Sequence, residues 1–159
     1  MKKPLSPDED FNLWVLLLQA RDTIFNARQK ELHPYNISAS QAAVLFSIQS
    51  IGDKATPAEI SRWVFREPHS ICELLGRMEE KGLVRKVKDL GRKNLVRIEL
   101  TEKGREVYRK SIRREFICKI MSSLSEKERQ QLRSCLRTLR NKALKELGIE
   151  REIPFPPSQ

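Results

Sequence analysis

Residues 68–100 read PHSICELLGRMEEKGLVRKVKDLGRKNLVRIEL, and the period of their apolar residues changes once. Up to Lys81, the residues Ile71, Leu74, Leu75 and Met78 recur at helical spacing. Pro68 stands at the helix entry, where a missing N–H does no harm. His69, Ser70, Glu73 and Arg77 take the opposite and leading positions, and Gly82 supplies a stop. From 83 to 100, apolar residues flank Asp89-Leu90-Gly91-Arg92-Lys93-Asn94, and Val96-Arg97-Ile98-Glu99-Leu100 alternates apolar with polar. This is the pattern of a β-hairpin with a polar, glycine-bearing tip. Arg85, Lys86, Lys88, Arg92, Lys93 and Arg97 fall within a span of thirteen residues, 85–97, opposed there only by Asp89.

Upstream, Thr56-Pro57-Ala58-Glu59 predicts an N-cap, a proline at the first helical position and a reciprocal acid, opening a short helix over 57–64. Ser38-Ala39-Ser40-Gln41 is a second capping box, for a helix carrying Ala42, Val44, Leu45, Ile48 and Ile51 up to Gly52. Ser6-Pro7-Asp8-Glu9 opens a long helix over 9–32 that Pro34 ends. Downstream, Thr101 caps a helix that is expected to run through Val107, Ile112, Phe116 and Ile120 to Met121. Ser125-Glu126-Lys127-Glu128 caps a final helix carrying Leu132, Leu136, Leu139, Ala143 and Leu147, up to Gly148. Residues 149–159, with Pro154, Pro156 and Pro157, read as an extended tail. The fold class is mainly α with a small β-hairpin wing (α+β), and 1–159 form a single domain.

Two short helices followed by a basic hairpin make a winged helix-turn-helix. A recognition helix needs a solid apolar back so that its front can enter a major groove about 12 Å wide. A basic ribbon can follow phosphates and push its tip into the minor groove. The net charge, 31 − 21 = +10, favours a polyanionic partner. Apolar residues at 39% against 33% charged exclude wholesale disorder. The longest apolar run is six residues, Leu13 to Leu18, far short of the roughly 18 of a membrane span. The N-terminal MKKPLSPDED lacks the apolar stretch of a signal peptide, so a cytoplasmic location is expected and no membrane partner.

Thr56-Pro57-Ala58-Glu59-Ile60-Ser61, residues 70–84 with their MEEKGLV, and Leu100-Thr101-Glu102-Lys103-Gly104 together resemble the MarR family of transcription regulators, over about residues 10–147. The resemblance implies an obligate homodimer. Helices over 9–33 and 102–147 would interlace with a second chain, and the 38–100 lobes would read a pseudo-palindromic double-stranded DNA operator. The apolar stripes of the terminal helices agree, because a small lobe cannot cover them. The family also implies a small-molecule site where the bases of the first, second and fifth helices meet, with Trp14, Phe25 and Phe46 as candidate lining. The family's wing carries Asp-x-Arg where this chain has Arg92-Lys93-Asn94, which removes the usual internal brace of the tip.

The reading is a sequence-specific DNA-binding regulator, more a repressor than an activator. The DNA-binding candidates are Pro68, His69, Ser70, Glu73 and Arg77 on the helix, Arg92 and Lys93 on the wing, and Ser38 and Ser40 toward phosphate. The alternative is a winged-helix protein-interaction module that binds nucleic acid weakly, because Glu73 repels phosphate even though glutamate can accept from cytosine N4. No GxSxG, P-loop, HExxH or Rossmann fingerprint is present, so no enzyme, catalytic residue or cofactor is expected. His33 and His69 lack the spacing of metal ligands. Cys72 falls on the recognition helix, and Cys118 and Cys135 are expected as small core residues.

Overall fold

The computed structural model describes residues 8–88, 91 and 94–157. Helix α1 spans Glu9–Leu32, followed by a 3₁₀ turn at His33–Tyr35. Then come α2 (Ala39–Ile51), α3 (Pro57–Trp63), α4 (Pro68–Glu80), strands β1 (Val84–Lys88) and β2 (Val96–Leu100), α5 (Glu102–Ser111), α6 (Glu115–Met121) and α7 (Glu126–Glu146). The strands pair antiparallel, with Val84 opposite Leu100 and Lys88 opposite Val96.

Local chemistry sets most of these boundaries. The Ser38 hydroxyl accepts the Gln41 N–H and the Gln41 side chain accepts the Ser38 N–H, both at 3.1 Å. The same reciprocal cap joins Ser125 and Glu128. There the Ser125 backbone N–H holds the Glu128 carboxyl below the usual carboxylate range. Thr56 caps α3 through its hydroxyl, but the Glu59 carboxylate, expected to close the box, instead meets Arg62 at 2.7 Å. The cap of α1 is Asp8, whose carboxylate accepts the Asp10 and Phe11 N–H groups. Ser6 and Pro7, where a cap was expected, lie outside the described residues.

The core is that of the lobe. Leu45 of α2, Ile60 of α3, Ile71, Leu75 and Met78 of α4, Leu83, and Ile98 of the wing are all almost fully buried. The Ile98 N–H donates to the Ala55 carbonyl at 2.7 Å, tying the wing to the turn before α3. Thr101 joins wing to helix twice. Its hydroxyl donates to the Gly82 carbonyl at 2.5 Å and accepts the Gly104 N–H at 3.0 Å. This draws α5 so close to Leu83 that a Cβ on Gly104 would stand 1.9 Å from the Leu83 carbonyl oxygen. The glycine of LTEKG is therefore a steric requirement of that crossing.

Two expectations are corrected. The helix predicted over 101–121 is two helices, broken at Arg114 in the left-handed region (φ 49°). Neither glycine nor proline marks the break. Side chains of α1 stabilise it: Arg28 donates to the Ser111 carbonyl at 2.6 Å, and the Glu31 carboxylate accepts the Phe116 N–H at 2.9 Å. Arg28 and Glu31 pair at 2.6 Å, so one ion pair satisfies a helix end on one side and a helix start on the other. Cys118 and Cys135 are exposed rather than core residues. The reason is that α6 and α7 bury no residue in their own chain.

Two consequences follow for stability. Gly104→Ala must push α5 off Leu83, and is expected to lower unfolding free energy by about 1–3 kcal/mol, as overpacking does; urea denaturation followed by circular dichroism measures it. The second concerns Glu31. Burial pushes its carboxyl up, but the Phe116 N–H and Arg28 outweigh that and hold it below its ordinary value. A depressed carboxyl contributes stability fully above the unfolded pKa, about 4.3, and loses it as pH falls through the folded value. The stability gap between wild type and Glu31→Gln should therefore be constant near neutrality and shrink below about pH 4 in urea melts.

Candidate nucleic-acid interface

Helix α4 turns one face to the core and the other to solvent. Ile71, Leu74, Leu75 and Met78 are buried, while Pro68, His69, Ser70, Glu73 and Arg77 are all exposed on the outer and leading surface. The structure thus brings these five predicted residues together. His69 and Glu73 approach to 3.4 Å one turn apart, and the Arg77 guanidinium lies back toward the Glu73 carbonyl at 3.4 Å. These contacts are solvent-exposed and weak, so the side chains can exchange them for a partner. Cys72 is exposed on the same helix.

The turn into α4 depends on Phe65 in the left-handed region (φ 51°). It sets Arg66, whose guanidinium donates to the Ser40 hydroxyl at 2.9 Å. Ser40 is therefore engaged by a cation, and Ser38 by its cap; both are half-buried. Sequence reasoning did not single out Arg66, because its neighbour Ser40 is 26 residues away and nothing local links them.

The wing's charges are partly paired. Arg85 meets Glu99 across the strands at 3.0 Å, Lys86 meets Glu79 of α4 at 3.6 Å, and Arg97 reaches the Asp53 carbonyl at 3.4 Å. Two acids just outside the 85–97 window thus moderate a hairpin that looked almost purely basic. Lys88 is exposed at the tip end of β1. Arg92 and Lys93 lie outside the described residues.

Behind this surface is a cavity of about 220 Å³ lined by Phe25, Phe46, Trp63, Arg66, Leu74 and Phe155, among others. Of the candidate lining residues, Phe25 and Phe46 both stand in its wall. Trp14 does not: it lies further up α1, 54% exposed, with its ring 5.7 Å from that of Phe11. The cavity's remaining aromatics, Trp63 and Phe155, come from the end of α3 and from the tail. Among the described residues no cluster of metal-ligating side chains stands together, and no helix is long and apolar enough to cross a membrane.

Comparison with known proteins fits this geometry. Residues 37–104 match the family model of a winged helix DNA-binding domain. The organohalide-sensing RdhR-CbdbA1625 transcriptional regulator, solved with 2,4-dichlorophenol, is 31% identical, with 90% of each chain covered and a TM-score of 0.79. A mutant MarR from E. coli with operator DNA superimposes with a TM-score of 0.75 at 21% identity, over 82% of this chain and 95% of that one. MepR from S. aureus, also with DNA, gives 0.76 at 22% identity, over 86% and 99%. The search of curated proteins returns no match.

The carboxylate on this face provides a test of which surface meets DNA. Removing one like charge near a phosphate is worth up to about 1 kcal/mol in a water-like dielectric. Glu73→Gln is therefore expected to tighten binding to a random duplex by up to about fivefold, and Arg77→Ala to loosen it. Fluorescence anisotropy reads both; unchanged affinity in the two variants would place α4 away from the DNA.

Proposed function

The chain belongs to the MarR family of winged-helix transcription regulators, and on that premise we propose that it is a homodimeric, sequence-specific repressor whose hold on its operator responds to a small aromatic ligand. The observation that carries this reading is the division of α4 into a buried apolar back and an exposed polar front, beside a basic hairpin. Arg77 and Ser70 on a rigid helix suit base edges, whereas cations of the wing suit phosphates or a narrow minor groove. Repression would follow from occlusion of the operator. Arg92 and Lys93, from the sequence, remain the proposed contacts of the wing tip.

Dimerisation is supported by what the chain leaves uncovered. Phe11, Leu13, Trp14, Leu16, Leu17 and Leu18 of α1 are exposed, as are Leu132, Leu136, Leu139 and Leu147 on and beyond α7. Apolar surface on that scale requires a cover, and a second copy supplies a matching one by two-fold symmetry. One recognition helix per chain then predicts a pseudo-palindrome with half-sites about 10 base pairs apart, centre to centre.

The ligand reading rests on the aromatic cavity. Its walls combine flat rings with Arg66, and the Arg114 guanidinium lies 4.9 Å over the Phe46 ring. That combination suits an aromatic ring carrying a weakly acidic group. The 31%-identical relative is solved with such a molecule, which makes 2,4-dichlorophenol the first probe to use.

Sedimentation and site selection test the proposal together. The wild type should sediment as a dimer at ~50 μM, and Leu136→Asp with Leu139→Asp should abolish the dimer. Selection from random duplexes should return two-fold sites, and binding to a random duplex should weaken steeply with salt. A folded wild-type monomer, or weak and salt-insensitive binding, would favour the protein-interaction module instead.

A further inference from the structure

The segment after α7 is the least regular part of the described chain, yet it makes specific contacts. Gly148 turns it in the left-handed region (φ 65°). The Arg151 guanidinium then stands 5.8 Å over the Phe65 ring at the entrance to α4. The Phe155 ring stacks on Trp63 at 5.5 Å between centroids with 10° between planes, and meets Phe46 edge-on at 5.1 Å. Two residues later the Pro157 carbonyl accepts from Arg137 of α7 at 3.0 Å. The tail thus makes one ring part of the aromatic cavity's wall and returns to the long terminal helix.

Phe155 covers the rings of Trp63 and Phe46 and leaves about 220 Å³ open beside it. It supplies a flat ring against two aromatic side chains but no acceptor for Arg66, which also lines the cavity and whose guanidinium donates to the neutral Ser40 hydroxyl. Phe155 remains 38% exposed, and the tail around it forms no helix or strand. An occupant held by ring contacts and a single backbone acceptor can leave without unfolding the lobe. An aromatic molecule with an acidic group would make the same ring contacts and offer Arg66 an anionic acceptor in place of the neutral Ser40 hydroxyl.

We infer that Phe155, seated on the rings of Trp63 and Phe46, is a tethered stand-in for a ligand's ring, and that an aromatic acid or phenol binds these rings by expelling the chain's own tail. The inference rests on the ligand reading of the cavity given above and adds the competitor. Tethering keeps the ring at high local concentration, so the site is occupied without ligand and responds only above a threshold. If the tail is docked about nine-tenths of the time, ligand affinity is about tenfold weaker than in a chain whose tail cannot dock.

The full-length chain provides the test. Trp14→Phe leaves Trp63 as the single tryptophan of the two. In that background Phe155→Ala is expected to make Trp63 emission clearly more quenchable by acrylamide, while Phe155→Tyr keeps it protected. By calorimetry, 2,4-dichlorophenol should bind Phe155→Ala about tenfold more tightly than wild type, with Phe155→Tyr close to wild type. Equal affinity in wild type and Phe155→Ala overturns the competition, and unchanged quenching overturns the docking. If the phenol binds neither protein, the ligand class proposed for the cavity fails. The competition fails with it, while the quenching result alone still upholds or overturns Phe155 as the occupant.

Discussion

The burial of one face of α4 is the interaction on which the rest depends. Ile71, Leu74, Leu75 and Met78 are held against the remaining core of the lobe, including Leu45, Ile60 and Ile98. At about 1.5–3 kcal/mol for each fully buried side chain, their burial is comparable to the net stability of a small domain before conformational entropy is set against it. It also fixes the rotation of the helix about its axis. With that angle set, His69, Ser70, Glu73 and Arg77 have no direction but outward, and the front of the helix becomes a rigid polar surface.

The wing inherits its position from the same core. Leu83 and Ile98 enter it directly, the Ile98 N–H bonds to Ala55, and Thr101 and Gly104 clamp the end of β2 against Leu83. Helix and hairpin therefore move as one body. Their ion pairs, Lys86 with Glu79 and Arg85 with Glu99, are exposed and add little to that rigidity. Their effect is on charge: they lower the positive potential of the ribbon's base and leave the tip end, with Lys88, more basic.

Helix α1 connects this lobe to the terminal helices. Its lower half carries Arg28 and Glu31, which satisfy the broken backbone between α5 and α6, and Gln29, whose side chain accepts the Ala39 N–H at the start of α2. Its upper half presents apolar side chains around much of its circumference. Near this junction lies the aromatic cavity, walled by α1, α2, α3, α4 and the tail. A molecule that changes the filling of this cavity therefore acts where recognition helix and terminal helices meet. In the proposed dimer, this would give a physical route from a small ligand to the spacing of the two α4 helices.

The local elements were legible in the sequence because their signals are local. Ser38, Thr56, Thr101 and Ser125 cap helices within three residues of themselves, and the change from helical to alternating period at Gly82 marks the wing. The outward face of α4 followed from its apolar spacing alone. The break at Arg114 was not legible, because the groups that stabilise it stand on α1, more than 80 residues away. Cys118 and Cys135 sit on apolar-striped helices whose stripes face out of the chain, and a sequence pattern cannot say which molecule covers a stripe. Trp14, Phe25 and Phe46 have equal claims as aromatics in the sequence; only the crossing of α1 over α2 separates Phe25 and Phe46 from Trp14. The tail read as a featureless proline-bearing extension, and only the folded chain shows Phe155 stacked on Trp63, 92 residues earlier. Sequence determines what is decided within a few residues along the chain; contacts between distant segments wait for the tertiary structure, because their geometry is set by every element packed between them.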